Sequence, residues 1–393
     1  MNTLTNPQWR NVRLGDIGQS LIGLTYSPSN VKRSGTLVLR SSNIQDGELA
    51  FDDNVYVDCA IPEKIRTREN DILICVRNGS RRLIGKSAIL DRRVSGQTFG
   101  AFMAVYRSDL NPFLRYFFQS DDFKRQIDEH LGATINQITN GSLNGFVVTL
   151  PSESEQQAIT ERLQDGDRLI ATLKRLISKK HAIKQGMMQE LLTGRTRLPG
   201  FKQAWSRATL GRISKVTMGQ SPVGSSYNTK GNGLPLIQGN ADVSKRATIE
   251  RVWTSSPTKI SEPGNVILTV RAPVGHAAIA SHRICLGRGV CGLDAGKDNS
   301  FLFHLLVSSE SRWSLFSQGS TFTAVGSNEV DSFTIDWPCD PEERSAIAKV
   351  LQDADQEIDA LQRRLESVSS IKQGMMQELL TGRVRLPVGG QAR

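Results

Sequence analysis

The chain of 393 residues has few of the features that mark a membrane protein, a disulfide-bonded protein or a metalloprotein. Its five cysteines form no Cys-x-x-Cys pair, so neither a disulfide framework nor a structural zinc site is predicted. His282, Cys285 and Cys291 lie close in sequence, but no second ligand pair follows them, and we predict no metal site. The chain has no apolar run of about 18 residues and no secretion signal, so we expect a soluble, cytoplasmic protein.

Catalytic motifs are missing as well. Residues 79–87 resemble a phosphate-binding loop, but five residues separate Gly79 from Gly85, and the motif requires four. We find no Gly-x-Ser-x-Gly, no His-Glu-x-x-His and no Asn/Asp-Pro-Pro-aromatic sequence. The chemistry of hydrolases, zinc peptidases and amino methyltransferases is therefore not predicted.

The net charge indicates the kind of partner, and the apolar content indicates how many domains the chain can form. Lysine and arginine number 49 against 39 acidic residues, which gives a formal net charge of +10. This charge favours a polyanionic partner such as nucleic acid. Apolar residues make up 38% of the chain, enough to form the cores of two or three domains.

One long segment occurs twice. Residues 183–199 read IKQGMMQELLTGRTRLP and residues 371–387 read IKQGMMQELLTGRVRLP, so the copies differ only where Thr196 becomes Val384. A repeat of this length, with divergent sequence between the copies, predicts a two-lobed molecule in which one part does the same job twice.

Each copy is predicted to end a long helix. Upstream apolar residues alternate steps of four and three, the heptad of a coiled coil. They are Ile159, Leu163, Gly166, Ile170, Leu173 and Ile177, and then Ile347, Leu351, Ala354, Ile358, Leu361, Leu365 and Val368. We predict that the two helices pack antiparallel about a local two-fold axis as a rigid spacer.

Capping residues define where these helices begin and end. Ser152 with Glu155 forms a capping box, and Asp340-Pro341 with Glu343 supplies a cap and a first-turn proline. Gly194, like Gly382 in the second copy, predicts a left-handed helix end. A helix from about Ser154 to Leu192 would be on the order of 57 Å long.

A second apolar set lies inside the repeat itself. Paired methionines suit an adaptable contact surface, and near-identity at this end of the helix favours a docking surface for the same partner at two places. Helix core is the alternative, and the pattern alone leaves both open. The residues are Met187, Met188, Leu191 and Leu192, with Met375, Met376, Leu379 and Leu380 in the second copy.

The segments before each helix match faintly and define two lobes. We predict a first lobe over residues 1–151, a helix and linker over 152–199, a second lobe over 200–338, and a helix and tail over 339–393. Each lobe is predicted to be a mixed α/β (α+β) domain with helical segments near 111–131 and 300–316. Matched positions are Trp9 with Trp205, Leu14 with Leu210, Leu39 with Leu236, Asn43 with Asn240, and Arg77 with Arg271. Related domains that keep a core and replace their loops usually read different ligands.

These motifs resemble the specificity subunit of type I restriction-modification systems, over essentially the whole chain. The repeated LLTGR-x-RLP ending carries the resemblance, with LRSSNIQDG, NDILICVRNGS and IGKSAIL in the first lobe and GLPLIQGNADV, VILTVRAPVG and CLGRGV in the second. The resemblance implies a noncatalytic subunit whose two target recognition domains each bind one half of a bipartite, asymmetric site in double-stranded DNA. The helix pair would hold the halves apart.

The resemblance also implies partners. Two methyltransferase subunits would dock on the helices, and translocase-endonuclease subunits would join through them. The chain itself is expected to hold no cofactor, whereas its partners would use S-adenosylmethionine, ATP and Mg²⁺ for adenine-N6 methylation and ATP-dependent cleavage. Two alternatives are a specificity chain of a type II fused nuclease-methyltransferase and a protein scaffold that does not bind DNA.

Candidate DNA-binding residues are chosen by side-chain chemistry. Arginine and lysine pair with guanine, asparagine and glutamine pair with adenine, and exposed polar groups bind phosphate. In the first lobe the candidates are Arg40, Ser41, Ser42, Asn43, Arg77, Asn78, Ser80, Arg81, Arg82, Lys86, Gln137 and Asn140. In the second lobe they are Gln238, Asn240, Lys245, Arg246, Arg271, Arg288 and Asn328.

Structural roles remain open for the residues that both lobes share. Arg77 and Arg271 would then pair with buried acids, and Asn43 and Asn240 would close turns. Loop residues present in one lobe only are better candidates for base contacts. For Arg81 and Arg82 we predict that replacement by alanine weakens DNA binding.

Overall fold

The structure, a computed structural model, describes residues 9–131, 137–317 and 324–387. Within these ranges, no helix has the length and apolar character that a membrane span requires. The chain divides into two compact units, and each is described separately. The first unit comprises Met1–Thr172 and Leu365–Arg393, and the second comprises Leu173–Arg364.

The first lobe is built mainly from short antiparallel strands. Its strands are β1 Arg10–Arg13, β2 Gln19–Ile22, β3 Val31–Lys32, β4 Thr36–Leu39, β5 Ile44–Gln45, β6 Glu48–Leu49, β7 Tyr56–Val57, β8 Ile72–Cys75, β9 Ser87–Ile89, β10 Thr98–Phe99, β11 Met103–Arg107 and β12 Val147–Leu150. One sheet has the order β2-β11-β8-β9 and another has the order β10-β4-β7-β3, in which β10 and β4 are parallel. The strand β1 pairs with β12, so the start and the end of the lobe lie side by side.

Helices α1 Leu14–Ile17, α2 Asn111–Phe117, α3 Asp121–His130 and α4 Asn140–Gly145 belong to the same lobe. The single helical segment predicted near 111–131 is thus two helices, because the Ser120 hydroxyl accepts a hydrogen bond from the Phe123 amide and starts a new helix. The aromatic rings of Phe117, Phe118 and Phe123 pack edge to face or tilted in the core beneath them.

A long helix, α5 Glu153–Leu191, follows the first lobe and confirms the predicted bounds to within one residue at each end. The Ser152 hydroxyl accepts from the Glu155 amide, as the capping box predicts. Gly194 has a φ of 68°, which confirms the left-handed helix end.

The second lobe repeats this architecture with more strands. They are β13 Trp205–Thr209, β14 Lys215–Met218, β15 Tyr227–Asn228, β16 Leu234–Ile237, β17 Val243–Ser244, β18 Ala247–Thr248, β19 Trp253–Thr254, β20 Ile260–Ser261, β21 Val266–Thr269, β22 Ala277–Ile279, β23 Ile284–Leu286, β24 Val290–Asp294 and β25 Thr334–Pro338. The sheets have the orders β14-β24-β21-β22-β18-β17 and β15-β19-β16-β23-β20, and β13 pairs with β25.

Helices α6 Leu210–Ile213, α7 Asn299–Ser308, α8 Glu310–Ser317 and α9 Ser327–Ser332 complete the second lobe, and the segment predicted near 300–316 is again two helices. The second long helix, α10 Pro341–Leu380, follows. The Asp340 carboxylate caps it by accepting from the Glu342 amide, and Gly382, with a φ of 70°, ends it as predicted.

Segments of both long helices occur in each unit and run antiparallel there. In the first unit, Lys372 forms an ion pair with Asp167. In the second unit, Lys180 pairs with Glu357 and Lys184 pairs with Asp355. Residue numbers on α10 therefore fall as those on α5 rise, which is the antiparallel direction. Of the predicted heptad residues, Leu163 and Leu351 are buried in the cores of the lobes, and Ile358 is buried as well.

The two ends of each lobe are held together by a cluster that we call the clasp, formed by a tryptophan, a glutamate and an arginine. In the second unit, buried Glu343 accepts from Arg197 Nη2 at 2.7 Å and from Trp205 Nε1 at 3.2 Å. In the first unit, Glu155 accepts from Arg385 Nε and from Trp9 Nε1, the latter at 3.3 Å. Burial raises the pKa of Glu155, but Arg385 and Ser152 outweigh it, and the pKa lies below its usual value. The clasp gives the repeated Arg-x-Arg ending a structural function.

The methionine and leucine residues of the repeat pack into the lobes. Leu191 and Leu192 belong to the core of the second unit, and Met376 and Leu379 belong to the core of the first. Met187, Met188, Met375 and Leu380 are partly buried against the same cores. The docking prediction for the four buried side chains is therefore wrong, because their apolar surface is already covered by the chain's own lobes.

Candidate nucleic-acid interface

The two lobes share one hydrogen-bonded framework around the predicted DNA-binding loops. The Val76 amide donates to Phe102 O and the Ile138 amide to Val76 O, and in the second lobe Val270 donates to Gly289 O and Val325 to Val270 O. Arg77 and Arg271, which follow these valines, are therefore equivalent, as predicted. The framework fixes the backbone of the loops and leaves their side chains free to differ.

The predicted match of Asn43 with Asn240 is wrong. The residue equivalent to Asn43 is Asp242: the Ala50 amide donates to Asn43 O, and the Ile249 amide donates to Asp242 O. Likewise, Leu39 is equivalent to Ile237, because Gly100 and Gly287 donate to their carbonyls. The second lobe has one more residue between these points, a shift that sequence alignment missed.

Asn43 has a structural role and is corrected as a DNA-binding candidate. Its side chain is fully buried and donates to Ala50 O and Asn54 Oδ1, and its own Oδ1 accepts from the Arg40 amide. Asp242, which is also buried, accepts from the Gln238 amide at 2.7 Å. Asn43 closes the turn that follows its strand, as the structural alternative predicted. The same prediction for Asn240 is wrong, because the turn in the second lobe is closed by Asp242.

Two further first-lobe candidates are engaged within the protein. Arg81 Nη2 donates to Asp128 O and to Leu131 O, each at 3.2 Å, and so satisfies carbonyls at the end of α3. Asn140 Nδ2 donates to Ser20 O at 3.0 Å. Sequence reasoning missed both roles because the acceptors lie far away along the chain.

Four first-lobe candidates line one groove, a cavity of about 580 Å³ whose walls include Tyr26, Arg40, Ser41, Ser42, Asn78 and Phe102. Arg40 is paired with Asp53 at 2.8 Å, and Asn78 Nδ2 donates to Ser41 Oγ. Arg40 Nε and Ser42 Oγ are buried and have no hydrogen-bond partner within the described part of the chain. More than half of the residues that line the groove are polar, which suits a polar ligand.

Other basic residues face solvent around this groove. Arg77 is exposed, with its guanidinium carbon 5.1 Å from the Phe102 ring centroid. Lys86 Nζ is 3.5 Å from Ser41 O, and Ser80 donates its amide to Asn78 Oδ1. Arg82 and Gln137 are exposed. Among the described residues, neither Arg77 nor Arg271 pairs with an acid, so the structural alternative proposed for them is wrong.

The second lobe places its candidates on the equivalent loops. Arg271, Gln238, Asn240 and Asn328 are exposed. Arg288 is also exposed, and its Nε donates to Ser221 Oγ at 3.0 Å. Lys245 and Arg246 form the tip of the β17-β18 hairpin, and Arg246 is bound to Glu310 through both of its Nη atoms.

Two residues that the sequence analysis missed lie beside the candidate loops, one half-buried and one exposed. His276 is the counterpart of Lys86, since the Thr269 amide donates to His276 O and the Cys75 amide to Lys86 O. Burial, with Arg246 nearby, lowers the pKa of His276. Phe102 is the counterpart of Gly289 and is 58% exposed. The IGKSAI and VGHAAI segments carried a signal for His276, whereas Phe102 looks like an ordinary core residue in sequence.

Titratable groups show no arrangement for metal binding. Within the described ranges, no group of three or more His, Cys, Asp or Glu side chains is placed to hold a metal ion. Cys285 and Cys291 are buried, and His282 lies 3.7 Å from Glu250.

Comparisons with known proteins agree with this framework. The family model for the type I restriction modification DNA specificity domain matches residues 6–180 and again residues 202–370. The chain is 30% identical over 407 residues to the type I restriction enzyme MjaX specificity subunit of Methanocaldococcus jannaschii, covering 96% of this chain and 94% of that protein. The type I restriction enzyme EcoKI specificity subunit of Escherichia coli is 30% identical over 158 residues, covering 38% of this chain and 33% of that protein.

Solved structures share the fold. A chain from a study of complex assembly and conformational transition of the type I restriction-modification system has a TM-score of 0.62 at 25% identity, covering 96% of this chain and 99% of that chain. The type I S subunit from M. genitalium has a TM-score of 0.61 at 15% identity, covering 96% and 98%. The type I interpretation is favoured over the type II and scaffold alternatives. Because the family model matches twice and spans most of the sequence, the chain belongs to the type I restriction-modification DNA specificity family.

Proposed function

We propose that the chain reads a bipartite, asymmetric target in duplex DNA, with one lobe on each half-site. One observation carries this proposal: the same framework is built twice, and the side chains it presents differ. At equivalent positions the first lobe has Ala101-Phe102 where the second has Arg288-Gly289. Equivalent backbone hydrogen bonds with unequal side chains suit two readers of different base sequences.

The hairpin tips differ in charge as well. The first lobe has Asp46-Gly47 at the β5-β6 turn, and the second has Lys245-Arg246 at the β17-β18 turn. These differences lie on exposed loops and not in the cores. The chain itself acts as a noncatalytic reader, and its positive net charge suits the DNA backbone.

The long helices serve, in this proposal, as an antiparallel coiled-coil spacer between the two readers. The names of the relatives place them in type I restriction enzymes, so we extend the proposal to two methyltransferase subunits and to translocase-endonuclease subunits that join through them. S-adenosylmethionine, ATP and Mg²⁺ would be bound by those partners. Exposed surface of α5 and α10 is the docking region that remains, since the buried leucines and methionines of the repeat are already covered.

The decisive experiment reconstitutes the chain with its methyltransferase and sequences the methylome of a host that expresses both. One bipartite motif with modified adenines in both halves is expected. Exchange of the second lobe for that of a relative should change one half of the motif and leave the other half unchanged. A complex that binds DNA without sequence preference, or with only weak salt dependence, would support the scaffold alternative instead.

Arg81 and Arg82 provide a matched pair for a first test. Arg82 is exposed and, within the described residues, makes no hydrogen bond or ion pair, whereas Arg81 holds the end of α3. We expect Arg82→Ala to weaken specific DNA binding by about 1–3 kcal/mol if it makes a bidentate base contact, or to lower the salt slope by about 1 if it contacts a phosphate. Fluorescence anisotropy at several salt concentrations measures both.

Arg81→Ala is the control. It should lower the free energy of unfolding by about 1 kcal/mol through the lost hydrogen bonds and change DNA affinity less than Arg82→Ala does. Equal effects of the two substitutions on DNA binding at physiological salt would contradict these assignments.

A further inference from the structure

We propose that Phe102 is a base-contacting residue of the first lobe that reads the C5-methyl group of a thymine in the major groove. This inference rests on the proposed function, since it requires the first lobe to bind DNA. It adds a specificity-determining residue outside the polar candidates.

The exposure of Phe102 is the first argument. The ring lies in the connection from β10 to β11 and is 58% exposed, although the neighbouring Phe99 and Met103 are almost fully buried. Among the described residues, the other strongly exposed large apolar side chains are aliphatic, such as Ile22, Val223 and Ile371. An exposed aromatic ring beside a polar groove is a surface on which an apolar group of a ligand can pack.

The framework does not need this ring, which is the second argument. The carbonyl of Phe102 accepts from the Val76 amide at 3.1 Å, and the carbonyl of Gly289 accepts from the Val270 amide at 2.9 Å. The same hydrogen bond therefore forms in the second lobe without a side chain, although the backbone is closer there: a Cβ at Gly289 would lie 1.9 Å from Gln238 O. Because backbone atoms make this hydrogen bond, it does not require the phenylalanine ring at 102, which is free to serve recognition.

The neighbours of the ring point to thymine. Thymine presents two groups in the major groove, the O4 acceptor and the C5-methyl group, and apolar side chains contact that methyl. Arg77 is exposed and lies over the Phe102 ring, and the polar side chains of Ser41 and Asn78 line the same groove. An apolar face for the methyl group and hydrogen-bond donors for the adjacent oxygen are thus brought to one place.

The test compares thymine with deoxyuridine, which lacks only the C5-methyl group. After the target is identified from the methylome, each thymine of both half-sites is replaced in turn, and the affinity of the full chain with its methyltransferase is measured. For the wild-type complex we expect a loss of about fourfold at one position of one half-site, the factor for one methyl-sized group removed from an apolar contact.

Phe102→Ala should weaken binding to the thymine target and should bind thymine and deoxyuridine probes equally at that position. Phe102→Leu, which keeps an apolar side chain, should retain part of the discrimination and serves if the alanine variant folds poorly. Val31→Ala is the control, because Val31 is also an apolar residue that is well exposed, at 43%. It lies on β3, at the opposite edge of the β10-β4-β7-β3 sheet from β10, the strand that precedes Phe102. Val31→Ala should leave both affinity and discrimination unchanged.

Two outcomes would overturn the proposal. The first is a wild-type complex that ignores deoxyuridine at every position. The second is a Phe102→Ala complex that still discriminates as the wild type does. A variant that loses affinity equally on every probe, while the wild type shows no methyl dependence, would instead indicate a wedge between bases. Absence of sequence-specific binding by the wild-type complex would defeat the proposed function itself and is read out separately.

Discussion

Lys245 and Arg246 adopt the left-handed backbone conformation, which residues other than glycine and asparagine rarely take. Their φ angles are 47° and 65°, and the equivalent Asp46 and Gly47 of the first lobe have 49° and 77°. Left-handed backbone costs about 1–2 kcal/mol for an ordinary residue. Arg246 is compensated by its ion pair with Glu310, whereas Lys245 is exposed. Strain kept at an exposed lysine suggests selection for its charge.

Replacement of Lys245 tests that trade between stability and DNA binding. Lys245→Asn should raise the thermal midpoint of the second unit, through a gain of about 1 kcal/mol, because asparagine tolerates the left-handed region. It should also weaken DNA binding and lower the salt slope by about 1 through the lost phosphate contact. Calorimetry and anisotropy titrations measure the two effects.

Asp46→Lys is the reciprocal control in the first lobe. It places lysine at the same turn position and should lower the stability of the first unit. If Lys245→Asn stabilises the protein but leaves the salt slope unchanged, Lys245 does not contact DNA.

At the scale of elements, α7 carries a buried histidine in the second unit. His304 is 2% exposed, and its Nδ1 has no hydrogen-bond partner within the described residues. Burial, and then the charge of Lys184, lower the pKa of His304 to about 4, while Asp355 acts in the opposite direction. His304 is therefore neutral at physiological pH and packs as part of the core.

The pH dependence of stability follows from this pKa. The unfolded chain binds a proton near pH 6.5 and the folded chain only near pH 4, so the unfolded state holds more protons between these values. Stability of the second unit should therefore fall as the pH drops from about 6.5 to about 4, by about 3 kcal/mol in full. His304→Gln should remove this component, as followed by thermal melts at several pH values. An unchanged pH profile in the variant would show that other groups cause the loss.

Each unit has its own clasp, so the same substitution can be tested in both units. Glu343→Gln should destabilise the second unit by about 1.5–3 kcal/mol, since Arg197 and Trp205 lose a charged acceptor. Glu155→Gln should do the same to the first unit. Hydrogen exchange followed by mass spectrometry locates each effect. A loss of protection spread equally over both units would contradict the assignment of each clasp to one unit.

For the whole molecule, local sequence patterns predicted the ends of the long helices well. The roles of individual side chains in the loops depended on tertiary contacts. Capping residues and heptads placed α5 and α10 to within one or two residues, because helix ends are determined by nearby side chains. The role of Arg81 depends on acceptors about 50 residues away, which no local pattern reveals, whereas the turn that Asn43 closes is local and was among the predicted alternatives. Phe102 was missed for a related reason: its exposure follows from the loop geometry and not from its apolar neighbours in the sequence.

The position of the clasp residues relative to the two repeats has a consequence for how new specificities arise. Trp205 and Glu343 lie between the repeated segments, and Arg197 lies inside the first one, where the second repeat has the equivalent Arg385. One stretch of gene that begins in the first repeat therefore encodes the second lobe together with its own clasp. Homologous recombination within the two near-identical repeats would exchange this stretch as a cassette. The incoming reader would arrive with its attachment intact, and the host would acquire a new half-target without redesign of the remaining chain.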